Sequence, residues 1–389
     1  MDINIGDYKK MNVLHINCNY ITTKLHSVMI EHLNQMNIKN TIFIPTYNEQ
    51  TVTIKKLKDN ELVSKCFEKN DRFLFWLKQK KIIKAIEKEC DINSFEIIHA
   101  YTLFTDGNCA MKLSQKYNVP YVVAIRNTDI NIFFKYRIFL RKRGIEILKN
   151  ASAIFFLSNA YKRKLFEKYI PEKYKNELLK KTEIIPNGID DFWHINSYID
   201  ENRLNNKIKR IKEKEIKLIY AGNIDKNKNI SKTCEAIKRL EKEGWKVNFT
   251  VAGKIKNEKI YKRVKDKIEY KGILNEKELI EYYRESDIFV MPSKKETFGL
   301  VYAEAMSQGL PVIYTMGQGF DEQFEEGVVG FRVNENDEKD IVNAIKAICN
   351  RYDIISNNCI KMITKFSWKR ICIEYYNKYD NIINKVPKL

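Results

Sequence analysis

The 389-residue sequence is short of the residues that build metal centres, disulfide frameworks and glycine-rich nucleotide turns, and each shortage closes a class of function. Its five histidines are scattered and it contains no Asp-x-Asp, so neither a metal-ligand cluster nor a carboxylate clamp for a divalent ion is written into the chain. The eight cysteines, at 18, 66, 90, 109, 234, 349, 359 and 372, never form Cys-x-x-Cys and read as reduced, mostly core, thiols. No apolar run reaches the length that spans a bilayer, and the N-terminus lacks the charged and apolar regions of a signal peptide, so a cytosolic protein is expected. Glycine numbers only 14, and Cys18-Asn-Tyr-Ile-Thr-Thr23, after the first apolar run, has none. The Gly-x-Gly-x-x-Gly turn of a nicotinamide or flavin domain is thus missing, which argues against a dehydrogenase.

Lys and Arg (69) outnumber Asp and Glu (50), giving a net charge of +19. Lys, Ile and Asn abound throughout, so the excess reads either as general composition or as attraction to an anionic partner. Two stretches direct the second reading to a membrane surface rather than to nucleic acid. Phe73-Leu-Phe-Trp-Leu77 runs into Lys78-Gln-Lys-Lys-Ile-Ile-Lys, and Phe133-Phe-Lys-Tyr-Arg-Ile-Phe-Leu-Arg-Lys-Arg143 interleaves aromatics with cations. Both have the ingredients of helices lying on lipid, as do ordinary surface helices.

Strands are expected over residues 11–17, 40–45, 95–99, 120–125, 153–157 and 183–186, and again over 216–221, 247–252, 268–270, 288–291, 312–314 and 330–333, with helices between most of them. That alternation predicts an α/β chain of two doubly wound, Rossmann-like domains. The first covers residues 1–190, with a leader over 1–10. Residues 192–215 serve as linker, and the second domain runs to 365 before a closing helix over 366–389. Loops after strand ends carry His99, Arg126 and Asp129, the acceptor-side candidates. A core position for His99 and a loop-holding salt bridge between Arg126 and Asp129 are the plainer alternatives.

The most informative stretch is Ser293-Lys-Lys-Glu-Thr-Phe-Gly-Leu-Val-Tyr-Ala-Glu-Ala-Met-Ser-Gln-Gly-Leu-Pro311, which follows the apolar run 287–292. It reads as strand, loop and helix, the helix opening near Phe298 and stopping at Gly309 and Pro311. Free amides at Gly299 and Leu300 suit an anion, Gly299 lets it approach the backbone, and Glu296 and Glu304 flank the place. Two carboxylates beside an anion site would repel a bare phosphate. They suit a ligand with hydroxyls on both sides of its phosphates, a nucleotide-sugar.

The stretch resembles the Glu-x7-Glu motif of retaining glycosyltransferase family 4, whose members have the GT-B fold: two doubly wound domains facing each other across a cleft, with the C-terminal helix crossing back to the first. The similarity is strongest over 286–333 and moderate over 153–190, where Pro186-Asn187-Gly188 marks the domain crossing, and over 220–230. There Gly222-Asn-Ile-Asp-Lys-Asn-Lys228 is similar to a Gly-Arg-x4-Lys segment that grips the diphosphate. Lys228 falls on the lysine position; Asn223 stands where the family has arginine, and Lys226 or Arg126 is expected to compensate.

The resemblance implies a metal-independent, retaining hexosyltransferase moving sugar from a UDP- or GDP-sugar to a glycan or lipid-linked acceptor in surface polysaccharide synthesis, without a cofactor. Glu296, Lys228 and Arg126 would be catalytic, and Glu304, Thr297, Phe298, Gly299, Leu300, Gly222, Asn223, Ile273 and Glu322 would hold the donor. His99, Asp129 and Asn187 would face the acceptor. An anionic membrane is an expected partner, with the protein at the inner face of the plasma membrane, and nucleic acid is not. A nucleotide-sugar epimerase on the same fold and a non-catalytic polyanion-binding protein are the alternatives.

Overall fold

The computed structural model describes residues 8–48 and 58–385, so residues 1–7 of the expected leader lie outside the described residues. The chain divides into two compact units. Unit 1 comprises residues 1–157, 161–187 and 368–389; unit 2 comprises 158–160 and 188–367.

Unit 1 is built on seven strands: β1 Met11–Ile16, β2 Ile38–Thr46, β3 Glu61–Lys65, β4 Ile97–Ala100, β5 Tyr121–Ile125, β6 Ala153–Phe156 and β7 Thr182–Ile184. Every pairing is parallel, in the order β3-β2-β1-β4-β5-β6-β7. Helices cover both faces of such a sheet, which is why the central strands are unbroken apolar runs; all five residues of β5 are buried. The edge strand β3, half exposed and only five residues long, escaped the sequence pattern. The closing helix Trp368–Ile383 belongs to this unit, where Trp368, Cys372, Tyr375 and Tyr379 enter a core with Val13, Met29 and Phe155.

Unit 2 has six parallel strands: β8 Glu215–Ala221, β9 Lys246–Ala252, β10 Glu269–Tyr270, β11 Ile288–Val290, β12 Val312–Thr315 and β13 Gly330–Val333. Their order is β10-β9-β8-β11-β12-β13. The expected linker is instead part of this unit. Its helix Glu201–Lys212 docks through Arg210, whose Nη2 lies 2.5 Å from Oδ1 of the fully buried Asp287, and through the buried Lys207, which donates to the Ser286 carbonyl. Asp287 Oδ2 also accepts the Lys217 amide at 2.7 Å, so one carboxylate ties helix, β8 and the start of β11 together.

In each sheet the winding reverses once. From β8 the chain proceeds to β9 on one side, and from β11 to β12 on the other, so the carboxyl ends of β8 and β11 open a crevice between diverging loops. In unit 1 the corresponding place lies between β1 and β4.

Candidate active site

At the reversal in unit 2 the loop after β8 meets the loop after β11. Lys228 Nζ lies 2.5 Å from Glu296 Oε2, with both side chains largely buried. Asp225 first shapes the β8 loop: its Oδ1 accepts the amides of Asn227 (2.8 Å) and Lys228 (2.9 Å), turning Lys228 inward. Asn227 then splices the loops. Its carbonyl accepts the Lys294 amide at 2.8 Å, its Oδ1 accepts the Lys295 amide at 3.0 Å, and its Nδ2 donates to the Lys295 carbonyl at 2.8 Å. Asn229, left-handed at φ 60°, ties the same loop to the Pro292 carbonyl at 3.1 Å.

Glu296 is also held from the loop after β12. Its amide donates to Gln318 Oε1 at 3.1 Å and its carbonyl accepts the Gly319 amide at 3.1 Å. A Cβ on Gly319 would sit 1.9 Å from the Thr297 carbonyl oxygen, so only glycine allows this approach. Gly299 is constrained twice: φ is 83°, and a Cβ would lie 2.4 Å from the Tyr302 ring, whose hydroxyl donates to the Met291 carbonyl at 2.6 Å. Loops after β8 and β9 touch through Gly222 and Gly253, where a Cβ on Gly253 would fall 2.0 Å from the Gly222 oxygen.

These contacts place the residues expected from sequence. Lys228, Glu296, Gly299 and Gly222 come together, the Cβ position of Gly222 being 3.9 Å from Lys228 Cε. Asn223 uses its carbonyl to accept from Tyr220 Oη at 2.6 Å. The helix after the loop is Leu300–Met306, seven residues, and starts two residues later than expected. Thr297 is exposed and Leu300 half-buried, whereas the Phe298 ring is buried against Phe320 and Phe366; Phe298 therefore offers a ligand its backbone and not its side chain. Glu304 is half-buried, and burial pushes its carboxyl up to about 8, helped by Glu276 and Asp190. Glu276 opens the helix after Gly272-Ile273, and Ile273 stands 72% exposed just past the carboxyl end of β10. Glu322 lies further along the β12 loop and lines a hollow of about 390 Å³ with Asp321 and Arg332.

Unit 1 places the acceptor-side candidates differently. A hollow of about 340 Å³ at its own reversal point is lined by Cys18, Lys78, Thr102, Arg126, Asp129 and Arg137 among others. Arg126 Nε donates to the Tyr101 carbonyl at 3.0 Å. Asp129 is buried and forms no salt bridge with the Arg126 guanidinium; its carboxylate instead accepts the amides of Arg126 (2.9 Å), Leu103 (3.1 Å) and Phe104 (3.4 Å). Burial still pushes that carboxyl up to about 6. His99 is a core residue. It sits inside β4, fully buried, with Nδ1 2.6 Å from Tyr379 Oη and its ring stacked on Tyr101, so it does not line the hollow. Asn187 is buried at the end of unit 1.

Sequence reasoning missed Asn227, Gln318 and Gly319, which hold Glu296 and Lys228 in place. Each is a short polar or glycine residue in a loop, a pattern without periodicity; only the clustering of loops at strand ends could have pointed to them.

Residues 201–365 match the family described as Glycosyl transferases group 1. That match takes in most of the second unit, which is therefore similar to the group 1 glycosyl transferases. Among curated proteins, the alpha-monoglucosyldiacylglycerol synthase of Acholeplasma laidlawii is 25% identical over 62% of this chain and 64% of that protein. The capsular polysaccharide biosynthesis glycosyltransferase CapM of Staphylococcus aureus is 26% identical over 48% of this chain and 52% of its own length. The matches thus span about half to two thirds of these relatives. Among solved structures, the sucrose-phosphate synthase of Thermosynechococcus elongatus superposes with a TM-score of 0.74 over 97% of this chain and all of that one, at 16% identity. The likeness shows the fold: the chain has the GT-B architecture, and its last helix belongs to the first unit.

Proposed function

We propose that the protein is a retaining glycosyltransferase of family 4 that moves a hexose from a UDP- or GDP-sugar to a glycan or lipid-linked acceptor of a surface polysaccharide or glycolipid. The observation that carries this is the Lys228–Glu296 pair at 2.5 Å, set at the reversal point of a unit similar to the group 1 family. Breaking the bond from the anomeric carbon to the diphosphate puts negative charge on the β-phosphate and positive character on the sugar ring. Lys228, the open amides near Gly299 and Leu300, and a second cation in place of the Asn223 side chain would meet the leaving charge without a metal. Glu296 would accept from the sugar hydroxyls and favour the ring's developing charge. Fixed groups of this kind act through preorganisation, since they need not reorient as charge develops.

Glu304, kept largely protonated near neutrality, can both donate to and accept from the ribose hydroxyls, with Ile273 beside the base. Retention would follow from a same-face route, in which the leaving phosphate takes the acceptor proton as the new bond forms. Arg126, on unit 1, would contact the acceptor.

The test is turnover with a panel of UDP- and GDP-sugars, read by nuclear magnetic resonance for the anomeric configuration of product, with and without a chelator. Transfer or slow donor hydrolysis that yields the donor's anomer and survives chelation supports the reading. Absence of binding and hydrolysis across the panel would remove it, and a product that is an altered nucleotide-sugar would make the protein an epimerase. The two relatives named above are, by their names, a synthase of a glucosylated diacylglycerol and a glycosyltransferase of capsular polysaccharide biosynthesis, which supports the acceptor class.

A further inference from the structure

Half of the sixteen large hydrophobic side chains exposed among the described residues lie in two short segments of unit 1. Phe73, Leu74, Trp76 and Leu77 stand at the start of the helix Phe75–Glu89, with Phe73 82% exposed. Ile132 and Tyr136 stand on a short helical stretch with a π-helical segment Asp129–Phe134, and Ile138 and Phe139 on the 3-10 helix Ile138–Leu140 after a break at Arg137, with Phe139 73% exposed. The second segment is therefore not the single helix that its sequence suggests. The segments adjoin: the Arg143 guanidinium lies 5.5 Å from the Trp76 ring, and Phe75, Lys78, Ile132, Phe133 and Arg137 line the same hollow.

Clustered exposed apolar groups on one face call for a partner. The charges here say which kind. Residues 73–84 contain four lysines and residues 132–143 five Lys or Arg, and neither stretch contains an acid. Lys81 and Arg143 pair with Asp71 and Glu146 at 2.6 and 2.7 Å, but others rest on aromatic rings: Lys135 over Tyr136 at 5.0 Å, Arg137 over Phe133 at 4.8 Å and Lys78 over Phe67 at 4.6 Å. Lys80, Lys84 and Lys142 are exposed. A protein partner would need a matching acidic and apolar face. A bilayer with anionic head groups supplies both at once, an apolar layer for Phe73, Trp76 and Phe139 and a sheet of negative charge for the collar.

We propose that this face of unit 1 docks on an anionic lipid surface, with Phe73, Trp76 and Phe139 inserted at the head-group level and the lysines and arginines around them paired with lipid phosphates. The hollow at the β1/β4 reversal shares its wall with the docking face, so an acceptor carried by a lipid would enter unit 1 from the membrane side. The docking itself does not depend on the transferase reading, because it is read by partitioning and not by turnover.

The experiment is flotation of the full chain with vesicles of phosphatidylcholine alone or mixed with phosphatidylglycerol, at low and high salt, together with quenching of tryptophan fluorescence by bromine-labelled acyl chains. Binding is expected to the mixed vesicles, with quenching that Trp76→Phe removes; Trp193 and Trp368 are buried, and the half-buried Trp245 belongs to unit 2, outside the docking segments. Replacing Lys80, Lys84 or Lys142 by alanine should weaken partitioning roughly fivefold each at low salt. Replacing Phe73, Trp76 and Phe139 together by serine should weaken it on the order of a hundredfold, with the melting temperature little changed because all three are more than half exposed. Absence of flotation at low salt, equal binding to neutral vesicles, or a concentration-dependent dimer abolished by the serine variants would each overturn the proposal, the last by making a second copy the occupant.

Discussion

Lys228 and Glu296 hold each other at 2.5 Å with little solvent between them, so each sets the position of the other. Lys228→Ala removes one cation from the leaving group and breaks the contact to Glu296. Turnover should fall roughly a hundred- to a thousandfold, the usual cost of losing one preorganised group at a developing charge. Glu296→Gln should fall comparably, and the double variant should lose less than the product of the two, because the single changes share one interaction. Steady-state kinetics on the four proteins measures this directly. Glu304 makes a pH prediction. Its carboxyl is raised in the folded chain from 4.5 to about 8, so its ionisation opposes folding: stability is full below about 4.5 and is lost as pH rises through about 8. Glu304→Gln should therefore raise the melting temperature at pH 9 and leave it little changed at pH 4, while weakening donor binding.

At the scale of the element, the site depends on three loops that cannot move independently. Gly299→Ala would place a Cβ against a tyrosine ring that is itself hydrogen-bonded, at a φ of 83°. The backbone alone costs about 1–2 kcal/mol, and the displaced loop should weaken donor binding more than stability. Asp287→Ala tests the helix Glu201–Lys212: with Arg210 left facing an apolar interior, destabilisation of about 3 kcal/mol is expected from chemical denaturation. Twelve strands and the strand–loop–helix around Glu296 were legible in the sequence, because parallel strands buried on both faces are unbroken apolar runs and the Phe298-Gly299 turn is local. What was not legible is non-local. His99 looked like a strand-end ligand until β4 extended one residue further and the last helix brought Tyr379 onto its ring. The helix Glu201–Lys212 looked like a linker because its lysines are mostly solvated, whereas Lys207 and Arg210 turn inward to the buried start of β11 and Ile211 is buried beside them.

For the whole molecule, three buried histidines set the acid limit. Burial lowers His15 to about 4 and His26 to about 3, and holds His99 well below its ordinary value of 6.5. Each is folded only as the neutral ring, so stability is full above about 6.5 and is lost as pH falls toward 4, at about 1.4 kcal/mol per pH unit for each fully titrating ring. His26 is the most replaceable, since its Nδ1 has no partner among the described residues and its ring meets Tyr101 edge-on at 4.8 Å. His26→Phe should shift the acid unfolding midpoint downward, measured by circular dichroism. The central claim is narrower: Lys228 and Glu296 bind the phosphates and sugar of a nucleotide-sugar. Calorimetric titration of the preferred donor into the wild type, Lys228→Ala and Glu296→Gln tests it most directly. The account predicts saturable one-to-one binding that weakens at least about tenfold in both variants; binding of equal strength in all three proteins would contradict it.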